Sequence, residues 1–326
     1  MHTTIQLPEP AAVEGPCFAD INCRTAVMEK HARSFHFAAR FLPPSVRESV
    51  ITLYAFCRYI DDLVDEASTL SARGQARSEL DHWRNWLRNG ARGTSPAPAL
   101  GSPLAEVMAA HRIPPRYLVE LVDGVESDLN GVIVHTFQDL RHYCYQVAST
   151  VGLSMAYILG AHSPRALAAA EELGIAMQLT NILRDVGADL AMGRMYLPSQ
   201  ELAAFRCDAR HIARLAEAGR GPDRHFRWMM HFQAERAHFQ YELGLDGVPL
   251  LPRQVRLAIL TAARLYRGIL DEIAERRYDV LRERAATSVW VKCQHALMSA
   301  ATIAIWDVGD RLSPAHEPRR VDEIRQ

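Results

Sequence analysis

The segment NILRDVGADL, residues 181–190, belongs to a long stretch with the apolar period of a buried helix. Its polar side chains follow a helical period as well: Gln178, Asn181, Asp185 and Asp189. Intervals of three, four and four residues place these groups on one face of a helix. Carboxylates four residues apart repel by ~0.2–0.5 kcal/mol, so the stripe needs a partner that offsets its charge.

A second acidic stripe occurs upstream in YIDDLVDEAS, residues 59–68. Asp61 and Asp65 share a helix face, and Asp62 borders it. Arg58 lies four residues before Asp62 and can reach the same face. The flanking sequence is apolar and aromatic, so we expect this stripe to be buried too. A buried polar stripe without partners costs several kcal/mol, roughly 2–7 per group.

Divalent cations can satisfy two such stripes. Mg²⁺ prefers oxygen ligands and is typically held by one or two carboxylates together with substrate phosphates. Two facing acidic helices therefore predict a magnesium site for a diphosphate, and Mn²⁺ is an acceptable substitute. The alternative from these residues is a non-catalytic all-α scaffold with exposed acidic faces.

Helical periodicity dominates the rest of the chain, which predicts an all-α protein with eight or more helices in one domain, residues 25–310. We expect a flexible leader at 1–24 and a flexible tail at 311–326. The predicted helices are 25–42, 43–68, 76–89, 103–112, 114–128, 138–160, 164–191, 208–218, 223–243, 252–276 and 288–308. GVIVHT, residues 131–136, is the one predicted strand.

Composition excludes several classes of protein. The formal net charge of −1 argues against nucleic-acid binding. Six scattered cysteines form no Cys-x-x-Cys pair, which favours reduced thiols in a cytoplasmic protein. No apolar run is long enough to span a membrane, and the N-terminus has no signal-peptide pattern. No Gly-x-Gly-x-x-Gly follows a strand, so we expect no NADPH.

Two other groups of residues receive a structural interpretation. Asp123, Glu126 and Asp128 in LVDGVESDLNG are interpreted as a polar helix terminus. Trp83, Trp86 and Trp228 are interpreted as packing residues or as an apolar face near a membrane.

Four segments resemble the squalene and phytoene synthases, the head-to-head isoprenoid synthases, and most of all the bacterial phytoene synthases. The matching segments are SFHFAARFLPPSVRESVITLYAFCRYIDDLVDE (34–66), YCYQVASTVG (143–152), AMQLTNILRDVGADLAMGRMYLP (176–198) and AARLYRGILDEI (262–273). The last residues of the third segment, with their GR-x-YLP pattern, are highly specific. The resemblance implies an all-α isoprenoid synthase fold around a central apolar cavity.

The resemblance also implies the reaction. A prenyltransferase of this family joins two prenyl diphosphates head to head through a cyclopropyl diphosphate intermediate. With geranylgeranyl diphosphate the product is phytoene, which enters carotenoid biosynthesis and passes to downstream carotenoid enzymes. An apolar product of this kind implies peripheral contact of a cytoplasmic enzyme with the membrane.

Site residues are carried over by position. The resemblance implies a first acidic set of Asp61, Asp62 and Asp65, and metal ligands Asp61, Asp65, Asn181, Asp185 and Asp189. It implies that four residues contact diphosphate, namely Ser34, Arg58, Arg184 and Tyr266. Gln178 supports the second acidic set. Tyr143 is expected at the cavity wall near the reacting carbons, and the expected tunnel lining is Val147, Ala148 and Gly152.

Substrate length depends on two further positions. Ile51 lies eleven residues before Asp62, about 16 Å along the same helix face, and Ala39 lies on the preceding helix. The resemblance implies bulky aromatic residues at these places in family members that use farnesyl diphosphate. If that face lines the tunnel, Ala39 and Ile51 leave room for the longer geranylgeranyl chain. The alternative within the family is a synthase that uses farnesyl diphosphate to make squalene, dehydrosqualene or presqualene diphosphate.

Overall fold

The computed structural model describes residue 18 and residues 20–219, 221–282 and 289–312. These residues are helical almost throughout and contain no β-strand, which confirms the all-α class. The helices are α1 (Ile21–His31), α2 (Arg33–Ala39), α3 (Pro44–Asp65), α4 (Leu70–Arg88), α5 (Pro98–His111), α6 (Pro115–Ser127), α7 (Phe137–Cys144), α8 (Thr150–Ile158), α9 (Pro164–Ala191), α10 (Ser199–Ala204), α11 (Ala209–Ala218), α12 (Arg224–Leu245), α13 (Arg253–Glu275) and α14 (Val289–Leu312). None of the described helices has the length and apolar character needed to cross a bilayer.

The leader and the tail that the sequence predicts are described by the structure only in part. Most of the predicted leader 1–24 and nearly all of the predicted tail 311–326 lie outside the described residues. Helix α1 nevertheless begins at Ile21, inside the predicted leader. The side chain of Asp20 caps it by accepting a hydrogen bond from the amide of Cys23 at 2.9 Å.

The predicted helix 25–42 was wrong as a single element. It is two helices, α1 and α2, because the backbone leaves helical geometry at Ala32, with φ −136° and ψ 58°. No glycine or proline marks this break in the sequence, so only packing in the folded chain explains it. Helix α10 was also missed, since its six residues are too few for a periodic signal.

The predicted strand at 131–136 is wrong. This segment connects a 3₁₀ turn (Asp128–Asn130) to α7 without pairing to another strand. Its carbonyl groups accept hydrogen bonds from the start of α10, Ser199 N to Val134 O at 3.0 Å and Gln200 N to His135 O at 3.1 Å. Amides at a helix N-terminus have no acceptor within their own helix, so they donate to this segment in place of a neighbouring strand.

The core has two clusters that flank the site. Buried residues of α3 and α4 form part of the first: Leu53, Phe56, Ile60, Leu80 and Trp83. Buried residues of α9 and α12 form part of the second: Leu179, Leu183, Phe226, Met230 and Tyr241. Trp83 and Trp86 are buried, as the packing interpretation predicted, whereas Trp228 is 62% exposed.

A π turn (Tyr145–Ser149) interrupts the predicted helix 138–160 between α7 and α8. Two glycines let neighbouring helices approach it closely. A Cβ added at Gly124 of α6 would lie 2.6 Å from Cβ of Gln146, and one added at Gly174 of α9 would lie 2.5 Å from Cα of Ser149. Because real Cβ atoms never approach so closely, glycine at both positions allows α6, the π turn and α9 to meet beside the site.

Candidate active site

A cavity of ≈ 250 Å³ lies between α3 and α9, and both acidic stripes face it. Its polar lining comes from these residues: Asp61, Asp65, Asp128, Tyr143, Gln178, Asn181, Arg184, Asp185, Asp189, Arg194 and Tyr196. Its apolar lining comes from Val64, Val125, Val147 and Ile182. The helical spacing of the two stripes thus predicted correctly which of their groups share a face.

One member of the first acidic set differs from the others. Asp62 does not line the cavity but forms an ion pair with Arg58, one turn earlier on α3. This geometry follows from the helix itself, because Asp62 is rotated by about 100° from Asp61. Asp61 and Asp65 are therefore the members of the set that can act together in the cavity.

The remaining predicted residues are not part of the cavity lining. Ser34 is half-buried on α2, and Tyr266 of α13 stacks on Phe35 with 4.6 Å between ring centroids. Tyr266 also lies close to Arg184. Ala148 is half-buried in the π turn. Ala39 and Ile51 are both buried in the first core cluster, outside the cavity lining.

Gly152, predicted to line the tunnel, has a packing role. A Cβ added there would lie 2.7 Å from the carbonyl oxygen of Ala170 on α9. Glycine at this position therefore allows α8 to rest directly on the backbone of α9.

The electrostatics of the cavity are those of carboxylates crowded away from water. Burial raises the pKa of Asp61 to about 7, although Arg58 lowers it, and the nearby Asp65 raises it further. Burial likewise raises the pKa of Asp189 to about 7, with Asp185 adding to the effect. A cation bound between these groups would be strongly stabilised.

Arginines offset part of this charge. Arg184 makes a bidentate contact with Asp185, from Nε to Oδ1 at 2.9 Å and from Nη2 to Oδ2 at 2.6 Å. Arg194 donates from Nη1 to Oδ1 of Asp65 at 2.9 Å. In this arrangement no three acidic, histidine or cysteine side chains within the described ranges are grouped as ligands of one metal ion.

The hydrogen bonds of Asn181 indicate whether a metal ion fits in this cavity. Its Nδ2 donates to Oε1 of Gln178 at 3.2 Å, while its Oδ1 is buried without a hydrogen-bond partner. A buried carboxamide oxygen without a partner is costly, and a hard cation would satisfy it. Because the donors around the cavity are oxygens of carboxylates and amides, the set suits Mg²⁺ or Mn²⁺ better than zinc, which usually takes histidine or cysteine ligands.

Sequence reasoning missed three polar residues of the cavity lining, Asp128, Arg194 and Tyr196. Asp128 was interpreted as part of a polar helix terminus, but it accepts hydrogen bonds from Tyr143 at 2.9 Å and from Tyr196 at 2.8 Å. Asp128 does lie at the C-terminal end of α6, but its side chain lines the cavity, whereas Asp123 and Glu126 pair with Arg84 of α4 outside it. Arg194 and Tyr196 were available in the GR-x-YLP pattern but received no role.

The sequence is similar to a known protein family and to several named relatives. Residues 28–291 match the family model described as squalene/phytoene synthase. A phytoene synthase of Arthrospira platensis is 33% identical over 283 residues, which cover 83% of this chain and 88% of the relative. A phytoene synthase of Rhodobacter capsulatus is 32% identical over 304 residues, covering 92% of this chain and 87% of the relative.

Solved structures show the same fold. A dehydrosqualene synthase in complex with a ligand superposes with a TM-score of 0.77 at 27% identity, covering 87% of this chain and 96% of that one. The squalene synthase HpnC of Alicyclobacillus acidocaldarius superposes with a TM-score of 0.67 at 24% identity, covering 79% of this chain and 94% of that one. The predicted isoprenoid synthase fold is confirmed, and the chain belongs to the squalene/phytoene synthase family.

Proposed function

We propose that this protein is a prenyltransferase that condenses two molecules of geranylgeranyl diphosphate head to head into phytoene. The reaction passes through a cyclopropyl diphosphate and releases two diphosphates and two protons. The observation that carries the proposal is the pair of acidic stripes on α3 and α9, which face one cavity beside an apolar lining. The curated relatives of similar length that carry the name phytoene synthase support the same reaction.

The acidic stripes supply the metal ligands in this proposal. Asp61 and Asp65 on α3, with Asn181, Asp185 and Asp189 on α9, would hold Mg²⁺ ions. Bound Mg²⁺ supplies positive charge that neutralises the departing diphosphate and so lowers the barrier to ionisation. Gln178 orients the Asn181 carboxamide by accepting a hydrogen bond from its Nδ2.

Basic and hydroxyl groups bind the diphosphates. Arg184 is largely buried at the cavity edge, and its planar guanidinium suits bidentate recognition of phosphate oxygens. Arg58 of α3 lies outside the cavity lining but close enough to Asp61 to lower its pKa, and the Nε of Arg58 is buried without a hydrogen-bond partner. We assign Ser34 and Tyr266 to the same task, since Tyr266 lies close to Arg184.

The apolar side of the cavity protects the reacting carbons. Val64, Val125, Val147 and Ile182 expose no group that could trap a carbocation, and they exclude water from it. Tyr143 lines the same cavity, where an aromatic ring can stabilise positive charge. Ala148 and Gly152 belong to the proposed tunnel wall, and Ala39 and Ile51 to its floor.

The second candidate function is synthesis of dehydrosqualene, squalene or presqualene diphosphate from farnesyl diphosphate. The specific observation in its favour is the dehydrosqualene synthase structure, which superposes over most of both chains. The two candidates use the same cavity chemistry and differ in the length of the hydrocarbon that the protein accommodates.

The experiment that tests the proposal is a product analysis. Purified protein is incubated with Mg²⁺ and either geranylgeranyl or farnesyl diphosphate, with and without NADPH, and the extract is identified by mass spectrometry. We expect phytoene from the longer substrate without a requirement for NADPH. A C30 product from farnesyl diphosphate alone would favour the second candidate. No product under any condition, in a folded protein, would contradict both and favour a non-catalytic scaffold.

The product also bears on location. A C40 hydrocarbon is insoluble in water, so a cytoplasmic enzyme must release it to a membrane or to a downstream carotenoid enzyme. We therefore propose peripheral membrane contact. Co-sedimentation of the protein with lipid vesicles tests this contact, and protein that stays in the supernatant at every lipid concentration contradicts it.

A further inference from the structure

One carboxylate in the cavity holds two tyrosines. Oδ2 of Asp128 accepts a hydrogen bond from the hydroxyl of Tyr143 at 2.9 Å, and Oδ1 accepts one from the hydroxyl of Tyr196 at 2.8 Å. The two rings stack with 4.9 Å between their centroids and 19° between their planes. All three residues line the same cavity as the two acidic stripes.

Asp128 occupies an unfavourable position for a carboxylate. It caps the C-terminal end of α6, where the helix dipole is negative and disfavours an anion. Burial and the neighbouring Asp65 both raise its pKa. A residue that breaks local rules in this way is expected at a functional site, where the gain lies in the chemistry.

The same helix offers a contrast. Asp123 and Glu126 of α6 accept hydrogen bonds from Arg84 and connect α6 to α4. Neither residue lines the cavity, and their partner does not line it either, so their role is structural. Both partners of Asp128 are cavity residues, and one of them, Tyr143, is the aromatic group that we place beside the reacting carbons.

Fixed hydroxyl groups change what the rings can do. Both phenol hydrogens are donated to Asp128, so both hydroxyl groups are held by this one carboxylate. A hydrogen bond to a carboxylate also pushes electron density back onto the phenol oxygen and its ring. An electron-rich ring face in a water-excluded site attracts positive charge more strongly than an unassisted phenol.

We propose that Asp128 is a positioning residue of the reaction, a role that rests on the proposed function: it holds Tyr143 and Tyr196 as a stacked aromatic wall against the positively charged carbon skeleton. Asp128 acts through the tyrosines and contacts neither diphosphate. Its removal therefore lowers the rate of the chemical steps and leaves substrate binding intact.

The test begins with Asp128→Asn. Asparagine keeps the shape of the side chain, but its amide nitrogen cannot accept the hydrogen bond of a second phenol. We expect kcat to fall by about tenfold or more while KM changes by less than about twofold, the signature of a contact that matters in the transition state. Asp123→Asn makes the same change on the same helix outside the cavity, and we expect it to leave both constants unchanged.

A double-mutant cycle separates positioning from an independent effect. Tyr143→Phe keeps the ring and removes the hydroxyl that Asp128 holds. If Asp128 acts mainly through Tyr143, the double variant will be about as slow as Tyr143→Phe alone. Losses that multiply with both Tyr143→Phe and Tyr196→Phe, or an Asp128→Asn enzyme with an unchanged kcat, would overturn the proposal.

Separate control measurements distinguish a loss of folding from a loss of function. Thermal unfolding reports whether Asp128→Asn folds; if it does not, Tyr196→Phe removes one of the two hydrogen bonds and keeps the ring. That variant should show a smaller fall in kcat at constant KM, and an unchanged kcat overturns the proposal.

The activity of the wild-type protein separates the two proposals. A wild-type protein that converts neither prenyl diphosphate overturns the proposed function and the role of Asp128 together. An active wild-type protein with an unaffected Asp128→Asn variant overturns the role of Asp128 alone.

Discussion

Arg194 donates a hydrogen bond to Asp65 across 129 positions of the chain, with 2.9 Å between Nη1 and Oδ1. This contact joins the segment after α9 to the C-terminal end of α3. The same guanidinium group also acts on Asp189 of the second stripe, whose raised pKa it partly lowers, so it offsets part of the repulsion between the stripes. The pair of Arg184 with Asp185 does the same within α9. Arginines thus already neutralise carboxylates where we propose that metal ions bind.

These arginine pairs predict that metal ion and diphosphate stabilise the protein together. Cations that take over the carboxylates free the guanidinium groups for the phosphate oxygens, so each ligand should favour binding of the other. We expect Mg²⁺ with inorganic diphosphate to raise the melting temperature more than the sum of the two separate shifts. Stabilisation by ~2.7 kcal/mol is expected at a ligand concentration of 100 Kd.

Asp185→Asn is the control for that measurement, because it removes a proposed ligand and a partner of Arg184. The joint shift should largely disappear in this variant and persist in Asp123→Asn. Equal shifts in wild type and Asp185→Asn would contradict the metal assignment.

Removal of one acidic charge from α3 should separate activity from stability. Asp61→Asn takes away a proposed ligand, and it removes a carboxyl group whose pKa is raised by burial and, to a smaller extent, by neighbouring carboxylates. We expect a loss of turnover of about 10²-fold or more, comparable to the loss of one strong electrostatic contact. The melting temperature without metal should stay the same or rise. Full activity of Asp61→Asn, measured by product mass at saturating Mg²⁺, would refute the assignment.

The length of the substrate is tested at Ala39. This residue is 4% exposed and packs in the same core cluster as Ile51. Ala39→Phe should shift the preference from geranylgeranyl toward farnesyl diphosphate, because the phenyl ring would fill the end of the proposed tunnel and shorten it. Overpacking should also cost ~1–3 kcal/mol of stability. The ratio of kcat/KM for the two substrates is the measurement.

Ala38→Phe provides the matched control, since Ala38 is 3% exposed but faces another side of α2. It should cost comparable stability and leave the substrate ratio unchanged. Equal ratios in both variants and wild type would remove the argument from tunnel length.

Gly187 allows another close approach, behind the acidic turn of α9. A Cβ added there would lie 2.8 Å from the carbonyl oxygen of Val280 and 3.0 Å from Cα of Leu281. Because both contacts are to backbone atoms, no side-chain rotation relieves them. We expect Gly187→Ala to lower the free energy of unfolding by ~1–3 kcal/mol, measured by urea denaturation.

Gly74 of α4 is the control position for Gly187, because a Cβ added at Gly74 meets nothing within 4 Å. Gly74→Ala should stabilise the protein by ~0.5–1 kcal/mol through helix propensity. Destabilisation by Gly74→Ala, or none by Gly187→Ala, would contradict this account of the two positions.

Periodicity predicted most of the helices correctly because each amphipathic helix carries its own signal within a few turns. The long helix 164–191 was predicted with the bounds that the structure has. Breaks without a chemical marker were not predictable: the kink at Ala32 and the π turn at Tyr145–Ser149 both depend on neighbouring helices. The short apolar segment 131–136 had strand composition but found helix amides as partners.

The sequence by itself determined the fold class, the family and the two acidic stripes, since spacing along one helix decides which side chains share a face. Only the tertiary structure decided which carboxylates meet. It brought Arg194 to Asp65 and placed Asp128 beside Tyr143 and Tyr196. The physical reason is that contacts between distant segments depend on how helices pack, and glycines such as Gly124 set that packing through the space that they leave empty.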